Sequence, residues 1–83
     1  MFINKTEQGL NNLCGPNVKR LRLQRNLSQR QLAEKLQLVG LDVEKNAIQR
    51  MECGKRFVTD IELAALMKVF GVGAEELMGV EGE

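Results

Sequence analysis

At 83 residues with 43% apolar side chains, the chain has room for one domain and enough apolar surface to fold around a small core. It contains no histidine, the usual proton carrier near neutral pH, and its two cysteines, Cys14 and Cys53, stand too far apart for a clustered zinc site. The net charge of +1 hides an asymmetry: residues 1–56 carry 11 Lys/Arg against 5 Asp/Glu, and residues 57–83 carry 1 against 6.

A basic body with an acidic end would orient the molecule in a field of phosphates. No apolar run approaches the ~20 residues needed to span a bilayer. The opening MFINKTEQGLNNL lacks the charged start and apolar block of a secretory signal. The expected location is therefore the cytoplasm, away from membranes, with both cysteines reduced. Catalysis is not expected. The carboxylates fall on helix surfaces or helix starts, neither cysteine has a histidine to activate it, and no glycine-rich phosphate loop follows a strand. No metal, cofactor or small-molecule ligand is implied.

Residues 1–14 read as an N-terminal arm, with no firm periodicity through residue 12. Gly15-Pro16-Asn17 is a helix entry, because proline lacks an N–H that the first turn would leave unpaired anyway. The first helix runs from Asn17 to Arg25, with Val18 and Leu21 inward and Leu27 sealing its exit. Asn26 takes the left-handed position that ends it. The second helix opens on Ser28 with Gln31 three residues later, a capping box, and continues to about Val39 with Leu32, Ala33 and Leu36 on one face. Gly40 ends that helix and Asp42 caps the third, expected from about Val43 to Cys53. Ile48 and Met51 face the core from this third helix; Lys45, Asn46, Gln49 and Arg50 face outward. Two short helices, one locked inward and one offering amide and cationic side chains, suit a reader of DNA base edges.

Gly54 ends the third helix, and Lys55 to Val58 form a connector. Thr59 with Glu62 is a second capping box, opening a fourth helix whose Leu63, Leu66, Met67 and Phe70 follow core spacing. Gly71 stops it. Gly73 to Met78 give a last short helix with Val72 and Leu77 tucked in and Glu75 and Glu76 at its positive end. The folded domain is expected over residues 15–79, with 80–83 as a tail.

The fragments L-S-Q-x-x-L-A (Leu27 to Ala33), I-x-R-M-E (Ile48 to Glu52), G-K-R (Gly54 to Arg56) and F-G-V…L-M (Phe70 to Met78) stand in an order and spacing that resemble the phage Cro and repressor type of helix-turn-helix protein, an XRE-like family. The resemblance spans roughly Asn17 to Met78. It implies an all-α, compact five-helix bundle of the lambda-repressor kind that binds double-stranded operator DNA, usually as a homodimer. By position it makes Lys45, Asn46 and Arg50 base-reading side chains, with Gln49 beside them, and Gln29, Lys55 and Arg56 phosphate contacts, to which Arg30 is added as a weaker candidate. Arg20 is a further phosphate candidate, whereas Lys19, Arg25 and Lys35 read as solvated charges. It also implies a structural ion pair between Arg22 and Glu52, for which a planar guanidinium and a carboxylate are matched.

The chain departs from the family between Leu36 and Val43, where Gln37 replaces the usual glycine and several extra residues intervene. The reading is a lengthened bihelical unit with its bend at Gly40-Leu41, which brings Asp42 and Glu44 near the DNA. A sequence-specific DNA-binding transcriptional regulator, a repressor acting by operator occupancy as a dimer, is the leading function; a protein-interaction module of antitoxin or adaptor type on the same scaffold is the alternative. Val72, Met78 and Val80 form one candidate dimer surface and the arm's Phe2 and Ile3 another, with burial in the core the alternative for either set.

Overall fold

The computed structural model describes residues 5–6 and 9–79, and among these the chain forms five α-helices and no strand. They are α1 (Gly15–Gln24), α2 (Gln29–Leu38), α3 (Lys45–Glu52), α4 (Asp60–Phe70) and α5 (Ala74–Met78). The all-α, five-helix expectation holds. None of these helices is long and apolar enough to cross a membrane. Phe2, Ile3, Val80 and the rest of the 80–83 tail lie outside the described residues, while Val72 and Met78 are half-buried.

Local side-chain chemistry sets the helix starts. The Ser28 hydroxyl accepts from the Gln31 amide at 3.0 Å, and Gln31 Oε1 accepts from the Ser28 amide at 2.8 Å. Thr59 and Glu62 repeat the exchange at 3.2 and 2.9 Å. Each box pairs two backbone donors that a helix start otherwise leaves open. Near Pro16, α1 begins at Gly15 instead of Asn17 and ends one residue early, at Gln24.

Three helices end alike. After α1, Asn26 adopts φ 56°, the Leu27 amide donates to Arg22 O at 3.0 Å and the Asn26 amide to Leu23 O at 3.1 Å. After α2, Gly40 adopts φ 95°, the Leu41 amide donates to Leu36 O at 3.0 Å and the Gly40 amide to Gln37 O at 3.0 Å. After α3, Gly54 adopts φ 74°, the Lys55 amide donates to Arg50 O at 3.0 Å and the Gly54 amide to Met51 O at 3.1 Å. This double closure needs a left-handed residue, which glycine and asparagine tolerate best. It lets α2 run past Leu36, as the lengthened-unit reading requires.

The start of α3 needs correction. It begins at Lys45, not Val43, and Asp42 does not cap it; Glu44 holds the cap position without a side-chain bond. Tertiary packing overrides the local signal. Val43 is drawn into the core at 4% exposure, Gln37 Nε2 donates to its carbonyl at 2.8 Å and its amide donates to Leu41 O at 3.1 Å, so residues 41–44 cross the gap as a short irregular turn.

The core is built from Val18 and Leu21 of α1, Leu32 and Leu36 of α2, Ile48 and Met51 of α3, Leu66 of α4 and Leu77 of α5, all essentially inaccessible. Burying one such side chain stabilises by about 1.5–3 kcal/mol, so Ile48 and Met51 anchor α3 from beneath. Helix α3 lies against α1 and α2, α4 covers α2, and α5 packs on α1 and α4. At Gly15 a Cβ would meet Met51 O at 2.2 Å, so α1 approaches the end of α3 more closely than any other residue permits. Arg25 is not a free surface charge as its sequence position suggests: its guanidinium donates to Phe70 O at 2.7 Å and lies over the Phe70 ring at 5.3 Å, tying α1 to α4.

Candidate nucleic-acid interface

The 3.6-residue period of α3 puts Lys45, Asn46, Gln49 and Arg50 within an arc of about 140°, almost opposite Ile48 and Met51. All four are exposed, and the two apolar residues are at 0%. The same helix therefore has one face fixed in the core and one face of amide and cationic groups in solvent. Depressions lie at both of its ends. One, of about 300 Å³, is lined by Gln49, Arg50, Cys53 and Lys55. The other, of about 470 Å³, lies between α2 and α3 and is lined by Arg30, Ala33, Glu34, Gln37, Glu44 and Lys45.

A buried cluster fixes the orientation of α3. Arg22 Nε donates to Glu52 Oε2 at 2.6 Å and Nη2 to Glu52 Oε1 at 3.0 Å, with side chains 9% and 4% exposed. The remaining Nη1 donates to Leu27 O at 2.8 Å, and Gln29 Nε2 adds a bond to Glu52 Oε1 at 3.1 Å. One guanidinium thus joins α1, the α1–α2 corner and the end of α3. Because each charge is paired and hydrogen-bonded, neither is stranded out of water.

A family model described as a helix-turn-helix domain matches residues 15–78, most of the chain. The chain belongs to that family. A search of the curated proteins finds no match.

The match spans all five helices, and it supports DNA binding by this domain. The residues read as phosphate contacts divide into free and engaged groups. Lys55 is exposed in the turn after α3, and Arg30 is exposed with only a 3.6 Å approach to Glu34. That i,i+4 pair holds the arginine weakly. Gln29 has one amide hydrogen committed to Glu52, which leaves the other for a phosphate. Arg56 is the most engaged: its Nη1 lies 2.7 Å from Glu62 Oε2. Arg20 is half-exposed, 3.9 Å from Glu76.

Glu62 was legible in the sequence only as a capping residue, and its pairing with Arg56 adds an electrostatic role. Burial pushes its carboxyl pKa up, but the Thr59 amide and the Arg56 guanidinium outweigh that and hold it below the usual value. The other addition is Asn12, placed in the arm by sequence yet only 9% exposed. It bridges the start of α1 to the end of α3, and no periodicity marks it. Asp42 and Glu44 are exposed next to Lys45.

Proposed function

We propose that this helix-turn-helix protein is a sequence-specific transcriptional regulator that represses by occupying its operator, as a cytoplasmic homodimer. The observation that carries the reading is the outer face of α3, where Lys45, Asn46, Gln49 and Arg50 stand exposed above a buried Ile48–Met51 anchor. Asparagine matches the N6/N7 edge of adenine and arginine the O6/N7 edge of guanine, each bidentate contact giving about 1–3 kcal/mol of discrimination. Lys45 and Gln49 extend the same row. Gln29, Arg30 and Lys55 flank it as neutral and cationic donors to the DNA backbone, which sets register without reading sequence. Asp42 and Glu44 beside the row would repel phosphates, favouring sites where a cytosine amine meets them.

Selection from a random duplex pool tests this reading. The expected product is a palindrome with half-sites ~34–36 Å apart or a multiple of that, bound with an affinity that falls steeply with salt. Recovery of no preferred sequence would overturn it. A second reading, a protein-interaction module, draws on apolar exposure away from α3: Leu38 is 86% and Ile61 72% exposed. Salt-resistant capture of a protein partner, with no duplex affinity, would favour it.

A further inference from the structure

The segment just before α1 runs along the turn that follows α3. Asn12 Nδ2 donates to Met51 O at 3.0 Å and to Arg56 O at 2.8 Å, while its Oδ1 accepts from the Gly15 amide at 2.8 Å. The neighbouring Asn11 donates from its backbone amide to Gly54 O at 2.7 Å and from Nδ2 to Lys55 O at 3.1 Å. Leu10 lies over Gly54, where a Cβ would meet its side chain at 2.7 Å. Two consecutive asparagines therefore hold four carbonyls, those of residues 51, 54, 55 and 56, and turn them all toward the arm.

Lys55 sits in the middle of this grip with its own side chain exposed. A turn after a helix is ordinarily a place where backbone direction varies. Here the Lys55 amide is tied back to Arg50 O at 3.0 Å, and the carbonyls on both sides of Lys55 are pinned in addition to the segment just before α1, whose Gly15 packs against the end of α3. Only a neutral amide side chain supplies two donors and an acceptor together, as Asn12 does; a carboxylate would set negative charge against the carbonyls. Both asparagines precede the 15–78 stretch that the family model matches.

We propose that Asn11 and Asn12 are positioning residues for a DNA-backbone contact: by fixing the turn, they hold Lys55 in one place relative to Arg50 and Gln49 on α3. This rests on the DNA-binding reading above. Asn11 and Asn12 contribute to affinity without touching DNA, acting through Lys55.

The test is the salt dependence of binding to a random-sequence duplex pool, for wild type, Asn11→Ala, Lys55→Ala and the double variant. Asn11→Ala removes one exposed side-chain bond, so folding is not at stake, and Asn12→Asp adds the stronger perturbation. Lys55→Ala should make the slope of log affinity against log salt shallower by ~0.9, one phosphate's share. Asn11→Ala should reproduce part of that loss, and should add nothing in the Lys55→Ala background. The sequences recovered from the pool should keep their ranking. A wild-type slope in Asn11→Ala, or a loss that adds to that of Lys55→Ala, overturns the inference, and a mere fall in melting temperature with the slope intact does the same. Failure of the wild type to bind any duplex would instead sink the parent reading, and this one with it.

Discussion

Arg22 grips Glu52 through two parallel hydrogen bonds of 2.6 and 3.0 Å, and both side chains are less than a tenth exposed. Removing the carboxylate leaves the guanidinium of a buried arginine with Leu27 O as its remaining described partner. An uncompensated buried charge typically costs about 3–5 kcal/mol. Glu52→Ala should therefore lower stability by that order, and Glu52→Gln, which keeps an acceptor, by less. Urea unfolding of the two variants checks this; an unchanged midpoint for Glu52→Ala would show that the pair does not hold the helix.

The Gly15 contact makes a second prediction. A Cβ there would meet Met51 O at 2.2 Å and Asn12 Oδ1 at 2.9 Å, the first of them backbone that cannot rotate away. Gly15→Ala must push α1 off the end of α3, and overpacking of this kind costs about 1–3 kcal/mol. Gly73 is the contrast: nothing lies within 4 Å of its Cβ position, and it caps α5 with no side-chain bond. Gly73→Ser should be neutral or stabilising by about a few tenths of a kcal/mol. Thermal melting of both variants decides the point, and equal melting temperatures would contradict the close approach.

What the sequence made legible was what short-range chemistry determines. Ser28 with Gln31 and Thr59 with Glu62 each complete a box within four residues, and Asn26 and Gly40 end their helices by backbone conformation alone. The separation of Ile48 and Met51 from Lys45, Asn46, Gln49 and Arg50 follows from helical period. The start of α3 was misplaced because Asp42 looks like a cap locally, whereas the burial of Val43 decides the path. The anchoring by Asn12 and the engagement of Arg56, named from the sequence only as a phosphate contact, escaped for a similar reason. The Asn12 side-chain amide and the Arg56 carbonyl meet across 44 residues, and the Arg56–Glu62 pair exists only once α4 has docked.

Glu62 also gives the fold an acid-sensitive limb. Its carboxyl is pushed up by burial, yet the Thr59 amide and Arg56 bring it below its ordinary 4.5. A carboxyl lowered on folding stabilises the native state fully above its unfolded value, and that contribution is lost as the pH falls through the lower, folded value. Stability should thus decline as the pH drops below 4.5, with a shallower decline in Glu62→Gln, whose side chain does not titrate. Urea midpoints across that range provide the measurement. Identical acid limbs in wild type and variant would remove Glu62 as their source.

Base-reading and backbone-holding residues should fail differently. Asn46→Ala and Arg50→Ala each remove an exposed α3 side chain, and each should cost about 1–3 kcal/mol on the preferred sequence while relaxing choice at one position. Lys55→Ala should weaken all duplexes about equally. Repeating the pool selection with each variant separates the two behaviours; an unchanged consensus for Arg50→Ala would move that residue out of the reading row.

The cysteines offer a footprint of the same face. Cys14 is 1% exposed and its thiol is pushed up to about 11, chiefly by burial, so it holds almost no thiolate at neutral pH. Cys53 is exposed and lines the depression shared with Gln49, Arg50 and Lys55. Because the thiolate is the nucleophile, a limiting alkylating reagent should label the native protein once, at Cys53, and leave Cys14 until the chain unfolds. A duplex seated on α3 must cover that depression to bring Arg50 and Lys55 to the same groove edge. Saturating duplex should therefore slow labelling of Cys53, and a bulky group already attached there should weaken duplex binding. Mass spectrometry of the labelled peptides gives both results. A labelling rate at Cys53 that duplex leaves untouched would place the bound DNA away from the C-terminal end of α3.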